Sequence, residues 1–396
     1  MRVSIAFLVA GYVLSQFYRA CLAVLTPVLK AELGASAGDL AVSLGLWYLA
    51  FALMQIPVGE ALDRIGPRRT VGVLLALGGG GGAAAFALAT GPWGVHLAMV
   101  LIGIGCSPVL MGSYYIFARS FRPALFGTLA GMVIGVGSLG NLAGATPLAL
   151  AIEAFGWRST LWGLAALTLA TAAAILVFTR DPERLATQGG AKGTVFDILR
   201  LPGFWLILPL TFANYIGAAS LRGVWAGPWL TELQGADPLM IGKVTLVMGI
   251  AMALGNFAYG PADKLLGSHK RVAIAGNLLY CVALGALALS PGMGLTGATA
   301  LLAAIGLFGA SFPVLMAHGR AFFPAHLMGR GVTTLNLVSI SGAGLGLFLS
   351  RPVYELAAEG GDPVAAYRVL FLFFLLPVLA GLLVYLFARD SRDLMR

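Results

Sequence analysis

The sequence predicts an all-α membrane protein, with twelve transmembrane helices in two pseudo-symmetric six-helix bundles. Three observations predict it. Of 396 residues, 59% are hydrophobic and only 10% are charged, against roughly 25% charged in a soluble domain. The mean hydropathy is +0.91. Long apolar runs, each close to the ~20 residues that cross a bilayer, alternate with short polar breaks. The 54 glycines fit the same class, because glycine is commoner in membrane helices than in soluble ones.

The runs place spans at approximately 4–29, 40–61, 70–90, 94–118, 125–150, 158–179, 203–231, 241–262, 272–290, 295–318, 331–351 and 366–388. The first run has no small-residue cleavage pattern at its end, so it reads as a span and not as a signal peptide. The longest polar stretch falls near the middle. It divides the chain into an N-terminal bundle over 1–179, a cytoplasmic linker over 180–202 and a C-terminal bundle over 203–396.

The net charge of +9 comes from 25 Lys and Arg against 16 Asp and Glu. With the N-terminus inside, 18 of the 25 basic residues fall in inner loops, five in outer loops and two within spans. Cytoplasmic loops are enriched in Lys and Arg, so both termini are expected in the cytoplasm, with the chain in a bacterial inner membrane. The basic residues form no stripe interleaved with aromatics, which argues against a nucleic-acid partner. Cys21, Cys106 and Cys281 stand singly in apolar runs, so neither a disulfide framework nor a zinc site is expected. The five glycines Gly78 to Gly82 lack a following Lys-Ser/Thr, so they read as helix packing and not as the phosphate loop of an ATP-driven pump.

The two halves repeat. Pro108-Val-Leu-Met111 recurs as Pro313-Val-Leu-Met316, and Arg119-Ser-Phe-Arg-Pro123 as Arg320-Ala-Phe-Phe-Pro324. Gly59-Glu-Ala-Leu-Asp63-Arg64-Ile-Gly66 recurs as Gly260-Pro-Ala-Asp263-Lys264-Leu-Leu-Gly267. Pro27 to Leu33 recurs as Pro228 to Leu233. Two parallel six-span repeats are a recurrent design of secondary transporters.

Over its whole length the chain resembles the major facilitator superfamily. The residues Gly59-Glu-Ala-Leu-Asp63-Arg64-Ile-Gly66-Pro-Arg68-Arg69 are similar to its signature loop between helices 2 and 3, with Pro67 where a basic residue is commoner. Phe155-Gly-Trp-Arg158 and Asp181-Pro-Glu183 are also similar to the family. The resemblance implies a gating role for Gly59, Asp63, Arg64, Gly66, Arg68, Arg69 and Arg119, and for Asp263 and Lys264 in the repeat. Asp63 is expected to accept from a helix N-terminus and to pair with Arg64, Arg68 or Arg119, holding the halves together on the inside. Span 5 carries Gly127, Gly131 and Gly135, then Gly137, Gly140 and Gly144, a spacing that lets helices approach closely. It lacks the Gly-Pro centre of the family's drug antiporters, since Asn141 follows Gly140 and Pro147 comes later.

All 16 carboxylates lie in loops or near span ends, and the two mid-span charges are both arginines. An Arg in the hydrocarbon core costs at least about 2.5 kcal/mol and normally faces a cavity. Arg19 in span 1 has Tyr12, Ser15 and Gln16 on its face. Arg222 in span 7 has Tyr215, Trp225 and Trp229 on its face. The resemblance implies that these two helices line a central cavity, as in organophosphate antiporters that also use arginines there. A donor-rich positive cavity suits an anionic organic solute, because guanidinium binds carboxylate or phosphate bidentately. His318 is the titratable candidate for proton coupling, with a counter-anion as the alternative. Asn336, Tyr114, Tyr115, Asn214 and Asn256 are further polar groups within spans, able to line a cavity or to bridge helices.

Gln16-Phe-Tyr-Arg19 resembles a proteobacterial subgroup that contains copper importers and riboflavin importers. Met248 and Met252 share one face of span 8, and thioethers suit Cu(I). Two cavity arginines repel a cuprous ion, so copper ranks below an organic substrate. For riboflavin, Trp225, Trp229 and Tyr215 could stack on the ring system. A non-transporting membrane scaffold or sensor is the alternative outside transport. The expectation is a carrier and not an enzyme, with no cofactor. It acts as a monomer, with lipid and a small solute as its partners.

Overall fold

The computed structural model describes residues 2–121, 123–182, 198, 200–201, 203–323 and 328–390. Most of the predicted linker therefore lies outside the described residues, as do the side chains of Asp63, Asp263 and Lys264. Most of the described residues are helical, with no strand among them. Among the described residues, eleven helices are long and apolar enough to cross a membrane: α1 Ser4–Leu33, α2 Ala37–Leu62, α3 Pro67–Ala87, α4 Pro92–Phe117, α6 Trp157–Phe178, α7 Phe204–Gln234, α8 Pro238–Tyr259, α9 His269–Leu289, α10 Leu295–Arg320, α11 Thr334–Ala358 and α12 Pro363–Tyr385. The bent pair Met132–Ala143 and Thr146–Phe155 makes the twelfth, α5.

Three spans expected as continuous helices are irregular. The two parts of α5 meet at 42°. Gly144 sits at the break, and Pro147 occupies the first turn of the second part, where its missing N–H costs nothing. In α3, Leu75–Gly80 is a π-helical segment. Here the glycines let α3 touch α4: a Cβ on Gly78 would lie 2.6 Å from the backbone nitrogen of Gly105. α7 runs as Leu208–Ala213, Ile216–Ser220, a π-helical turn Leu221–Trp225 and Ala226–Gln234. Its irregular backbone finds a side-chain partner, since the Ala218 N–H donates to the Tyr280 hydroxyl at 2.8 Å. An i→i+5 turn widens the helix. The offsets from Arg222 to Trp225 and Trp229 are therefore not those of a regular α-helix.

By contacts the chain forms two compact units. The first is Met1–Leu185 with Gly223–Thr231 and Ala236–Leu246. The second is Ala186–Arg222 with Glu232–Gly235 and Val247–Arg396. The first unit packs Leu8, Tyr12, Val71, Leu75, Val109, Phe117 and Ile175 into one cluster. The second buries Leu210, Tyr280, Leu284, Phe371 and Phe374. Enclosure differs sharply between spans. In α1 and α7, 72% of the apolar window is buried, against 33% in α6, whose Trp162, Leu167 and Leu169 face outward. The two arginine-bearing spans are thus the most enclosed.

Each unit ties the end of its first span to its last span. In the first, the Trp157 indole donates to Glu32 Oε2 at 2.8 Å. In the second, the Tyr354 and Tyr367 hydroxyls each donate to Glu232 Oε2 at 2.9 Å. Glu32 and Glu232 are equivalent positions of the sequence repeat.

Candidate functional site

In the first unit the site is built around Arg19, which is half-buried on α1. Three aromatic side chains on consecutive turns of α2 surround its guanidinium. The Arg19 Cζ lies 4.7 Å from the Trp47 ring centroid, 5.0 Å from Phe51 and 5.8 Å from Tyr48. Trp47 and Phe51 stack at 5.1 Å, which fixes the cage. A cation over aromatic faces gains about 0.5–2 kcal/mol, more when desolvated. The rings hold the charge but accept no hydrogen bond in its plane. Arg19 Nε is buried and, among the described residues, has no hydrogen-bond partner. The same holds for Gln16 Oε1, one turn before it, and for Asn141 Oδ1 on α5. Tyr12 is buried, its ring packed on Gly137.

In the second unit Arg222 stands in the π-helical turn and is 2% exposed. Its Nε and Nη1 have no hydrogen-bond partner among the described residues. An ionised group taken out of water without a partner costs several kcal/mol (about the scale of a buried ion pair broken on one side). Tyr215 is half-buried on the same span. Below Arg222 in sequence, a buried polar knot joins α7, α9 and α10. The Asn214 amide donates to Asn277 Oδ1 at 2.7 Å and to Ser311 Oγ at 2.9 Å, and the Asn277 amide donates to Ala273 O at 2.8 Å. Asn214 is thus a helix bridge.

Other expected site residues lie elsewhere. The unit boundary falls between Arg222 and Gly223. Trp225 and Trp229 belong to the first unit and are fully buried, where Gly227 of the same stretch meets the Ala23 carbonyl of α1. His318 is fully buried in the last turn of α10. Its Nδ1 is 2.5 Å from the Tyr385 hydroxyl and its Nε2 is 2.9 Å from the Arg389 carbonyl. Asn336 is half-buried on α11. Met248 and Met252 are buried, with Met248 packed on Gly306. Among the described residues no group of three His, Cys, Asp or Glu could hold a metal.

The signature loop is organised by a residue outside the loop. Asp181, just past α6, accepts the Arg68 backbone N–H at 2.7 Å, at the start of α3. The carboxylate there completes an orphan donor and meets the positive helix end. Gly66 has φ +101°, and a Cβ on it would lie 2.7 Å from Asp181 Cγ, so only glycine fits. The Arg68 Nε–H donates to the Leu176 carbonyl of α6. The second unit repeats the device. Ser268 caps α9 through the Arg271 N–H at 3.2 Å, and its hydroxyl donates to Asp390 just past α12. Lys270 Nζ donates to the Leu386 carbonyl at 2.8 Å. Gly267 has φ +68°. Around the loop, Arg64 pairs with Glu60 at 2.8 Å with both side chains largely exposed. The Arg119 guanidinium lies 4.1 Å from the Tyr115 centroid. Arg69 and Gly59 are exposed, and a Cβ on Gly59 meets nothing within 4 Å.

Sequence reasoning missed Trp47 and Phe51, the unbonded amide oxygen of Asn141, and the role of Asp181 and Asp390 as partner carboxylates. A signal existed for the last pair: Phe178-Thr-Arg-Asp181 recurs as Phe387-Ala-Arg-Asp390.

Comparison with known proteins bears on this architecture. The sequence signature of the Major Facilitator Superfamily matches residues 8–225. An uncharacterized MFS-type transporter of Escherichia coli K12, YhjX, is 25% identical over 309 residues, covering 74% of each chain. The inner membrane transport protein YnfM of the same organism is 24% identical over 276 residues, covering 61% of this chain and 66% of that one. Among solved structures, a bacterial homolog of the human lysosomal transporter Spinster, inward-facing and occupied, superposes with a TM-score of 0.77. It is 19% identical and covers 97% of this chain and 96% of that one. A D-xylose–proton symporter reaches 0.78 at 16% identity, covering 98% of both.

Proposed function

We propose that this chain, which belongs to the Major Facilitator Superfamily and is an integral inner-membrane transporter and not an enzyme, carries a small polar anionic organic solute by alternating access. Its N- and C-termini face the cytoplasm, as the basic bias of the loops supports. One observation carries the anion reading: Arg222 is 2% exposed, and its Nε and Nη1 have no partner among the described residues. Arg19 repeats the theme, with an unbonded Nε inside an aromatic cage. A guanidinium has only donors, so a carboxylate or phosphate satisfies it and a cation does not.

The His318 nitrogens are engaged at both sides of the ring, which supports a tie between α10 and the end of α12 over a proton carrier. Riboflavin stacking loses support because Trp225 and Trp229 are fully buried. Asp181 and Asp390 tie the signature loop and its repeat to the ends of α6 and α12. The test is uptake into proteoliposomes of a panel of carboxylates and phosphate esters. Arg19→Gln and Arg222→Gln are expected to abolish flux with normal insertion. Unchanged flux of every accepted solute in both variants would overturn the reading.

A further inference from the structure

The first unit holds more than a charge. Gln16 and Arg19 share a face of α1 at i, i+3 spacing. Asn141 comes to the same level of α1 from α5, and glycines set that level. A Cβ on Gly140 would run into the Val13 carbonyl, and one on Gly144 would sit 3.0 Å from Ala20 Cβ. Asn141 follows Gly140 in the turn of α5 that packs against this stretch of α1. Both amides are half-buried, and both amide oxygens are unbonded among the described residues. At this level of the unit lie a guanidinium, which only donates, and two unbonded amide oxygens, which only accept.

We propose that this unit reads hydroxyl groups of the solute through Gln16 and Asn141, so that the transported anion is a polyhydroxy acid. The proposal rests on the anion reading above. The oxyanion meets Arg19, while solute O–H groups donate to the two amide oxygens. A hydroxyl also accepts, so it matches either end of an amide. A plain aliphatic carboxylate satisfies Arg19 but leaves both amides unmatched. Sites built to bond a hydroxyl reject the analogue that lacks it strongly, because their own polar groups are left unpaired.

The experiment measures binding to the purified full-length protein of two matched pairs, glycerate with propionate and gluconate with hexanoate. The hydroxylated member of at least one pair is expected to bind at least ten-fold more tightly. Asn141→Leu is expected to shrink that ratio at least five-fold, by weakening the hydroxylated acid while the plain acid binds no more weakly. If that variant fails to insert, Gln16→Leu carries the same expectation. Equal binding within both pairs, or an unchanged ratio in the variants, overturns the hydroxyl inference and leaves the anion reading standing. Failure of all four anions to bind overturns both. Amides that merely bridge helices would lower thermal stability on substitution without moving the ratio.

Discussion

Arg19 and Arg222 are the two mid-span charges that the sequence singles out, and their surroundings differ. Arg19 is half-buried and lies over Trp47 and Phe51. Arg222 is almost wholly enclosed in a π-helical turn and has two unbonded nitrogens. The first charge is stabilised in part by its own unit. The second is buried with its Nε and Nη1 left without a hydrogen-bond partner among the described residues. Removing Arg19 should therefore weaken the fold slightly, while removing Arg222 should not.

The largest effect is expected at Arg222. Arg222→Met should lower anion affinity at least about 30-fold, the equivalent of about 2 kcal/mol for a charge-assisted contact. It should also hold or raise the melting temperature of the ligand-free protein, because replacing an unpaired buried charge by an apolar side chain is neutral or stabilising. Arg19→Met should lose anion binding to a similar degree but lower the melting temperature, since the cation–π contribution of about 0.5–2 kcal/mol disappears. Trp47→Leu sharpens the contrast: it should weaken binding at Arg19, because it removes the ring nearest to the guanidinium.

The paired helix caps offer a second, smaller comparison. Asp181 takes a backbone N–H of α3 directly, whereas Asp390 acts through Ser268. Asp181→Ala should cost about 1–2 kcal/mol of stability, and Asp390→Ala less, since Ser268 still caps α9. The smallest effect is expected at the exposed Arg64–Glu60 pair. Arg64→Ala should change stability by less than about 0.5 kcal/mol.

The fold was legible because membrane spans need length and apolarity, and both are printed in the sequence. The repeat was legible for the same reason, down to Glu32 and Glu232, which occupy equivalent positions and accept from equivalent last spans. Helix irregularities were not legible. The π-helical turn at Leu221–Trp225 has no marker in its run of residues, and it changes the face on which Trp225 falls. Arg19 and Arg222 could be picked out as site residues, because a charge in an apolar run is conspicuous. Trp47 and Phe51 could not, because an aromatic side chain inside an apolar span looks like any other core residue. His318 shows the converse: a lone titratable group in a span stood out, yet its neighbours Tyr385 and Arg389 occupy both nitrogens. Asn141 was noticed only as a departure from an antiporter motif, since its significance depends on which α1 residues lie opposite.

The most direct measurement is a thermal-shift titration of the purified wild-type and Arg222→Met proteins with anionic solutes. A ligand that binds only the folded form raises its melting temperature. The wild-type protein should be stabilised by at least one anion. The variant should start at an equal or higher melting temperature and gain nothing from that anion. A variant that starts lower and is still stabilised by the same anion would contradict the assignment of Arg222 as an unpaired charge awaiting its solute.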